Sequence, residues 1–367
     1  MERMLSEVQL LHIMPEPPSE IPYGLRMLGA ELEWPEVKGI PRKVAILDTG
    51  VPQHRDIKNI EDAFVSKGLI HVTQGDVYDR DGHATHVGGT IHADGKIKGV
   101  FPWAKAYYAK VLDDLGYGSA DTIRQGYKWA MDQGVDVINM SLGGINPQPG
   151  LEDLIKQAKA KGIKTVCAAG NAGQSWLGYP AKFEDTIAVA AVDPNRNWTD
   201  FSSVGPEVEL CCLGEEVLSC WLNNQYAVLK GTSMAAPHVT GAVLISDAKC
   251  EVRFKHLNKK RYTLEEIRDI LHYIAEDLGT PGKDNKFGFG LLTFGRFEIS
   301  ENLPKTVVKL LHGTNTLWVN DQPQKVDAAP IVIDGRTYTP TRHTHEAMGD
   351  KVHWDKNKPN EVIIRRG

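Results

Sequence analysis

From about residue 40 the chain repeats one pattern, a short apolar run ending in Gly, Asp or Asn and then a stretch with helical spacing. The apolar runs are "KVAILDTG" (43–50), "DVINMSLGG" (136–144), "KTVCAAGN" (164–171), "TIAVAAVD" (186–193) and "EVELCCLG" (207–214). Short apolar runs bounded by turn formers read as strands buried on both faces. Helical spacing falls near 84–93, 120–133, 151–161, 234–248 and 263–277. This alternation predicts an α/β fold of three layers, a mostly parallel central sheet with helices on both faces. In such sheets the working groups gather beyond the carboxyl ends of the strands. Asp48, the Ser141–Gly144 turn and Asn171 all fall there.

The pattern stops near residue 298. Before it, residues 1–20 form an extension ending in "PEPPSE", a stretch unsuited to helix or strand. The expected organisation is therefore an extension (1–20), a main domain (21–298), a linker around "SENLPK" (299–313) and a small α+β domain (314–367) with short β-rich runs and one helix near 342–348.

A net charge of −5, spread evenly, argues against nucleic acid or a membrane surface as partner. No apolar run is long enough to span a bilayer, and the start lacks the three-part layout of a signal peptide. The five cysteines include no C-x-x-C pair, so neither a disulfide framework nor a zinc knuckle is expected. Free thiols in a reducing compartment place the protein in the cytoplasm.

Three motifs carry chemistry. In "GTSMAAPHVTG" (231–241), Ser233 precedes an apolar helix that contains Pro237 in its early turns. Ser233 thus falls near a helix N-terminus, where backbone N–H groups favour developing negative charge. An ordinary serine N-cap explains the same stretch. A serine hydroxyl needs a base and a group that orients the base. His83 in "DRDGHATHVGGTI" (79–91) follows a glycine turn and opens a helix, and Asp48 ends an apolar strand. Alone, each has a plain structural reading as a cap, turn or core residue. His83 and His86 stand three apart with no Glu between them, unlike the H-E-x-x-H zinc pair. In chain order Asp–His–Ser they match one of the known triad orders.

Together "VAILDTG", "DGHATHVGGTI" and "GTSMAAPHVTG" resemble the three signature blocks of subtilisin-like serine proteases, over about residues 20–298. The resemblance implies a subtilisin-like fold and a serine endopeptidase. Ser233 would be the nucleophile, His83 the general base and acid, Asp48 the orienting carboxylate and Asn171 the oxyanion donor. It places substrate on Ser141, Leu142, Gly143 and Gly144, on Ala168, Ala169 and Gly170, at Gly178 on the pocket floor, and along Gly116, Tyr117 and Gly118 by β-augmentation. No charge stands on these positions, so a large uncharged or aromatic residue is expected before the cut.

Three departures from the family pattern stand out. Ala84 replaces a usual Gly. The loop at 92–102 is short, so Asp56 matches a calcium-ligating position whose partners are missing. No cofactor is therefore expected to be required, with calcium at Asp56 the minor alternative. The long pro-domain of secreted relatives is absent, and the short extension resembles that of intracellular subtilisins. Residues Leu10 to Pro15 are expected to occupy the cleft as a zymogen segment until cut, with Pro15 misaligning the backbone.

The tail resembles the small domain named after the copper amine oxidase N-terminal region, through "DGRTYTP" and "R-x-x-x-E-A-M-G". His343, His345 and His353 do not make a convincing metal set. A protein- or wall-binding module, or a homodimer contact, is the expected role. The rival readings are an inactive scaffold that works through its tail, and a maturation protease with one dedicated target.

Overall fold

The computed structural model describes residues 2–5, 8–73, 75–253 and 261–294, and beyond these only short strands of the tail. The chain divides into one unit of residues 1–252 and 258–296 and a second of residues 253–257 and 297–367.

The first unit begins with β1 (Glu2–Arg3), β2 (Gln9–Met14), α1 (Tyr23–Leu28) and α2 (Ala30–Val37), then β3 (Lys43–Asp48) and β4 (Ile60–Val65). It continues through α3 (His83–His92), β5 (Lys105–Lys110), β6 (Tyr117–Gly118), α4 (Ala120–Asp132), β7 (Val137–Met140), α5 (Leu151–Ala160), β8 (Lys164–Ala168) and β9 (Ile187–Val192). It closes with β10 (Val208–Leu213), β11 (Val217–Trp221), β12 (Gln225–Lys230), α6 (Thr232–Arg253), α7 (Leu264–Ile274), β13 (Ala275–Glu276) and β14 (Leu291–Leu292).

Nine strands form one sheet in the order β13-β14-β10-β9-β8-β7-β3-β5-β4, parallel except at β13. The expected α/β architecture with a mostly parallel sheet is the observed one. All five apolar runs became sheet strands because each buries both faces; every residue of β9 and β10 is buried. Each fully buried Val, Leu or Ile there contributes roughly 1.5–3 kcal/mol.

Four sheet strands escaped the sequence reading: the two-residue β13 and β14, too short to leave a pattern, and β4 and β5. β4 reads IEDAFV and exposes its acidic residues, and β5 reads KAYYAK with a lysine at each end. Their charged residues hide the apolar signal. Lys110 is nonetheless fully buried and donates to the Thr49 and Tyr78 carbonyls and to Asp114. That cluster ties the loop after Asp48 to the loop before His83.

A second sheet of order β11-β12-β2 lies outside the main one. β2 pairs antiparallel along β12, from Gln9 opposite Lys230 to Met14 opposite Tyr226. The hairpin β11–β12 rests on α3: Ser219 donates to the His86 carbonyl at 2.8 Å, and Trp221 occupies the space a Cβ on Gly82 would need. Gly82, at φ +103°, caps α3 and is the residue before His83.

In the tail, β15 (Val308–Leu310), β16 (Thr316–Val319) and β17 (Gln322–Lys325) pair antiparallel. β18 (Ile331–Ile333) pairs with β19 (Arg336–Tyr338), and β20 (Lys351–Trp354) with β21 (Val362–Arg365). β15 lies inside the stretch expected as linker. The expected helix near 342–348, with His343 and His345, lies outside the described residues.

Candidate active site

The carboxyl ends of β3, β7 and β8 and the start of α6 converge on one cleft, as parallel-sheet geometry requires. Asp48, fully buried at the end of β3, accepts through Oδ1 from the Thr49 N–H at 2.7 Å and pairs with His83 Nδ1 at 2.8 Å. Its Oδ2 has no partner among the described residues. Burial alone would lower the pKa of His83, but the charge and hydrogen bond of Asp48, with Asp81 and Asp79 behind, raise it above the ordinary imidazole value. His83 Nε2 has no partner among the described residues.

Ser233 is the second residue of α6 and is buried. Its hydroxyl donates to the Ser141 carbonyl at 3.0 Å, while Ser141 Oγ donates to the Ser233 carbonyl at 3.0 Å. The hydroxyl is therefore not hydrogen-bonded to the imidazole in this state. Rotation about a single side-chain torsion between staggered wells redirects it, and nucleophile–base contacts are often loose without substrate.

Asn171, beyond β8, has its Oδ1 held by the Thr232 N–H and hydroxyl, each at 2.9 Å. This leaves Nδ2 as the donor end, near Gly231 at the start of α6. A neutral donor fixed beside a helix N-terminus suits an oxygen that gains charge during reaction.

Leu142, Gly143, Gly144, Ala168, Gly170 and Gly178 line a cavity of about 200 Å³. Ala169 braces it by accepting the Gly178 N–H at 3.1 Å. A side chain on Gly143 would press on the Tyr179 carbonyl at 3.0 Å, so the residue must be small. Trp176 and Ile145 also line the cavity, and the sequence reading missed both; a surface-loop tryptophan gives no local signal of what it covers.

The expected occupant of the cleft is corrected. Leu10 to Pro15 do not lie in it; residues 9–14 are β2, paired with β12. Glu2 to Leu5 lie there instead. Glu2 pairs with Gly118 and Arg3 with Tyr117 antiparallel, Met4 N–H donates to the Gly116 carbonyl at 3.1 Å, and Gly143 N–H donates to the Met4 carbonyl at 2.8 Å. Met4 and Leu5 are buried, whereas Leu10, Leu11 and Ile13 are exposed. The apolar cleft takes the pair it can cover, and β12 offers the later segment an open strand edge to pair with.

Asp79 is a structural centre that the motifs did not mark. It accepts from Thr49 Oγ1, from the N–H groups of Asp81, Gly82 and Thr85, and from the Thr85 hydroxyl. It fixes both the turn before His83 and the loop after Asp48. Ala84 is tolerated: it is buried and donates its N–H to Thr49 Oγ1 at 3.0 Å. His86 joins no metal set; its Nε2 lies 3.0 and 3.3 Å from the Val217 and Ala227 carbonyls of the hairpin.

At Asp56, Oδ2 accepts from the Tyr226 hydroxyl at 2.8 Å and the Ile97 N–H at 3.2 Å. Among the described residues the only grouping of metal-type side chains is His54, Asp56 and Cys220. Calcium wants six to eight oxygens. Both ring nitrogens of His54 are also engaged by backbone, at the Asp56 N–H and the Gln225 carbonyl.

The model of the subtilase family matches residues 39–290. The chain belongs to the subtilase family. It is accordingly a serine endopeptidase. Relatives of this subtilase include subtilisin DY of Bacillus licheniformis, 42% identical over 71% of this chain and 93% of its own. The major intracellular serine protease of Bacillus subtilis is 39% identical over 69% of this chain and 83% of its own. Subtilisin Savinase of Lederbergia lenta is 35% identical over 74% and 96%. The model described as the copper amine oxidase N-terminal domain matches residues 298–364. Among the described residues no helix is long and apolar enough to cross a membrane.

Proposed function

We propose that this subtilase cleaves peptide bonds with Ser233 as nucleophile, His83 as the base that takes its proton and returns it to the leaving amine, Asp48 as the group that orients and charges against His83, and Asn171 with the Ser233 N–H as the oxyanion donors. The observation that carries the reading is the chain's own Glu2–Leu5 segment, bound as a peptide strand between the Gly116–Gly118 edge and Gly143. That is how an extended substrate would sit, with a side chain available to the cavity over Gly178, whose walls outside the segment's own Arg3 carry no charge. A large uncharged or aromatic residue before the cut follows from that lining.

The same segment is assigned an inhibitory role: it fills the cleft until the chain is cut between Leu5 and Gln9. A cytoplasmic setting agrees with the five free, buried cysteines and with relatives named as intracellular proteases. The tail is assigned to binding rather than chemistry, since the catalytic side chains all belong to the first unit.

Mass spectrometry of the purified chain beside Ser233→Ala tests the assignment. The native chain should lose its first residues and react with a serine-directed fluorophosphonate, and Ser233→Ala should do neither. Trimming of Ser233→Ala at the same bond would reject self-processing, and labelling at another serine would reject Ser233 as nucleophile.

A further inference from the structure

The edge that receives Glu2–Met4 contains only two strand residues, and Gly116 before it sits at φ +78°. So short a strand cannot hold its own conformation against solvent. Beneath it lies Asp113, whose side chain is fully buried. Its Oδ1 accepts from the N–H groups of Leu115 at 3.0 Å and Tyr117 at 2.9 Å. Its Oδ2 is paired with His71 Nδ1 at 2.7 Å and reached by the His71 N–H at 3.4 Å. The backbone completes the loop, with Asp113 N–H donating to the Tyr117 carbonyl at 2.8 Å and Gly116 N–H to the Asp113 carbonyl at 3.0 Å. The His71 ring, half exposed, stands 6.1 Å from that of Tyr117.

Backbone groups of successive strand residues face opposite sides. Because Asp113 draws the N–H and carbonyl of Tyr117 inward, the carbonyl of Gly116 and the edge of Gly118 are left facing the cleft. Those are the groups that Met4 and Glu2 meet. Burial would raise the Asp113 pKa, yet the hydrogen bonds from Tyr117, His71 and Leu115 outweigh it and hold the carboxyl below the ordinary value. It therefore stays an acceptor across the neutral range.

We propose that Asp113, clamped by His71, is a positioning residue for extended substrate: it sets the edge to which the residues ahead of the cut are hydrogen-bonded. The inference rests on the proteolytic reading of the same cleft and adds a determinant that acts on long peptides more than on short ones.

The test compares the self-processed full chain with Asp113→Ala, Asp113→Asn and His71→Ala. The substrates are a tetrapeptide anilide, which reaches the edge, and an N-acetyl amino-acid ester, which does not, both with the same residue before the cut. In Asp113→Ala the ratio of kcat/KM for tetrapeptide over ester should fall about five- to tenfold, the loss of one or two hydrogen bonds, and mostly through KM. Asp113→Asn keeps an acceptor and His71→Ala keeps the carboxylate, so both should fall less. A second arm needs no catalysis: in Ser233→Ala, adding Asp113→Asn should speed amide exchange of Met4 and Leu5, whose N–H groups donate to the Gly116 carbonyl. Equal losses on both substrates, an unchanged ratio, or unchanged exchange would overturn the proposal. If the native chain cleaves neither substrate, it is the proteolytic reading that fails, and the exchange arm still decides the role of Asp113.

Discussion

Three side chains separated by up to 185 positions, Asp48, His83 and Ser233, were legible as a set because each sits in a stretch whose small residues and turns are set by local geometry. What the sequence did not contain is the direction of the Ser233 hydroxyl. It bonds to the Ser141 carbonyl here, a choice made by a neighbour on another strand. Asp79 and Asp113 were missed for a related reason: an aspartate in a loop is common, and only the donors folded around it mark it out. The electrostatics of His83 lead to a pH prediction. The base must be neutral to take a proton, and Asp48 raises its pKa. The acid limb of kcat/KM against pH should therefore have its midpoint above about 6.5, the ordinary imidazole value. The sign for folding runs the other way: this pair stabilises the protein below the imidazole's ordinary value and ceases to do so as pH rises through the raised one. A pH–rate midpoint at or below the ordinary value would show that Asp48 does not govern His83.

Among the elements, β2 and β12 show how a boundary drawn from texture can mislead. The extension reads as one segment, but it does two jobs. Residues 2–5 fill the cleft, and residues 9–14 complete a sheet whose inner strand, β12, runs directly into Ser233 through Gly231. Val8 lies against Gly231 at their junction. Two truncations should separate the jobs. A chain starting at Gln9 should show full activity without a lag and keep its thermal midpoint within about 2 °C, because β2 survives. A chain starting at Ser19 strips β12 of its partner strand, and its midpoint should fall by several degrees, about 2–4 °C for each kcal/mol lost. Calorimetry with an activity time course checks both; equal midpoints would mean that β2 supports nothing. Helices α4 and α7 begin where expected, at capping boxes, Ser119 with Thr122 and Thr263 with Glu266, although α7 ends at Ile274 and gives way to β13 within the stretch expected as helix.

Taken as a whole, the described residues include three histidines outside the proposed triad that are almost completely buried, His86, His92 and His238. Burial lowers the pKa of His86 to about 3 and those of His92 and His238 to about 4. Unfolded, each takes up a proton near its ordinary value, so between that value and about pH 4 the unfolded chain holds more protons. Stability present above pH 6.5 should therefore be lost steadily on acidification, by up to about 1.4 kcal/mol per pH unit for each histidine. Ser233→Ala, free of self-digestion, should show a thermal midpoint that drops between pH 6.5 and 4.5. His92→Phe should lower the midpoint at neutral pH, since the Tyr108 hydroxyl loses its partner at 2.7 Å, but flatten the slope. A midpoint that does not move with pH would refute the argument.

The sequence by itself determined the layered α/β architecture and the five inner strands, and it marked the residues proposed here as triad and oxyanion donor. Burial on two faces, helix starts and turn chemistry are local properties that leave a repeating trace. Only the tertiary structure decided which part of the extension enters the cleft, that Asp56 meets the Tyr226 hydroxyl, and that β4 and β5 extend the sheet despite their charges. Those outcomes depend on pairing between segments far apart in the chain. Each segment's preference is weak alone, and the winner is whichever arrangement satisfies the backbone edges and covers the apolar side chains at once.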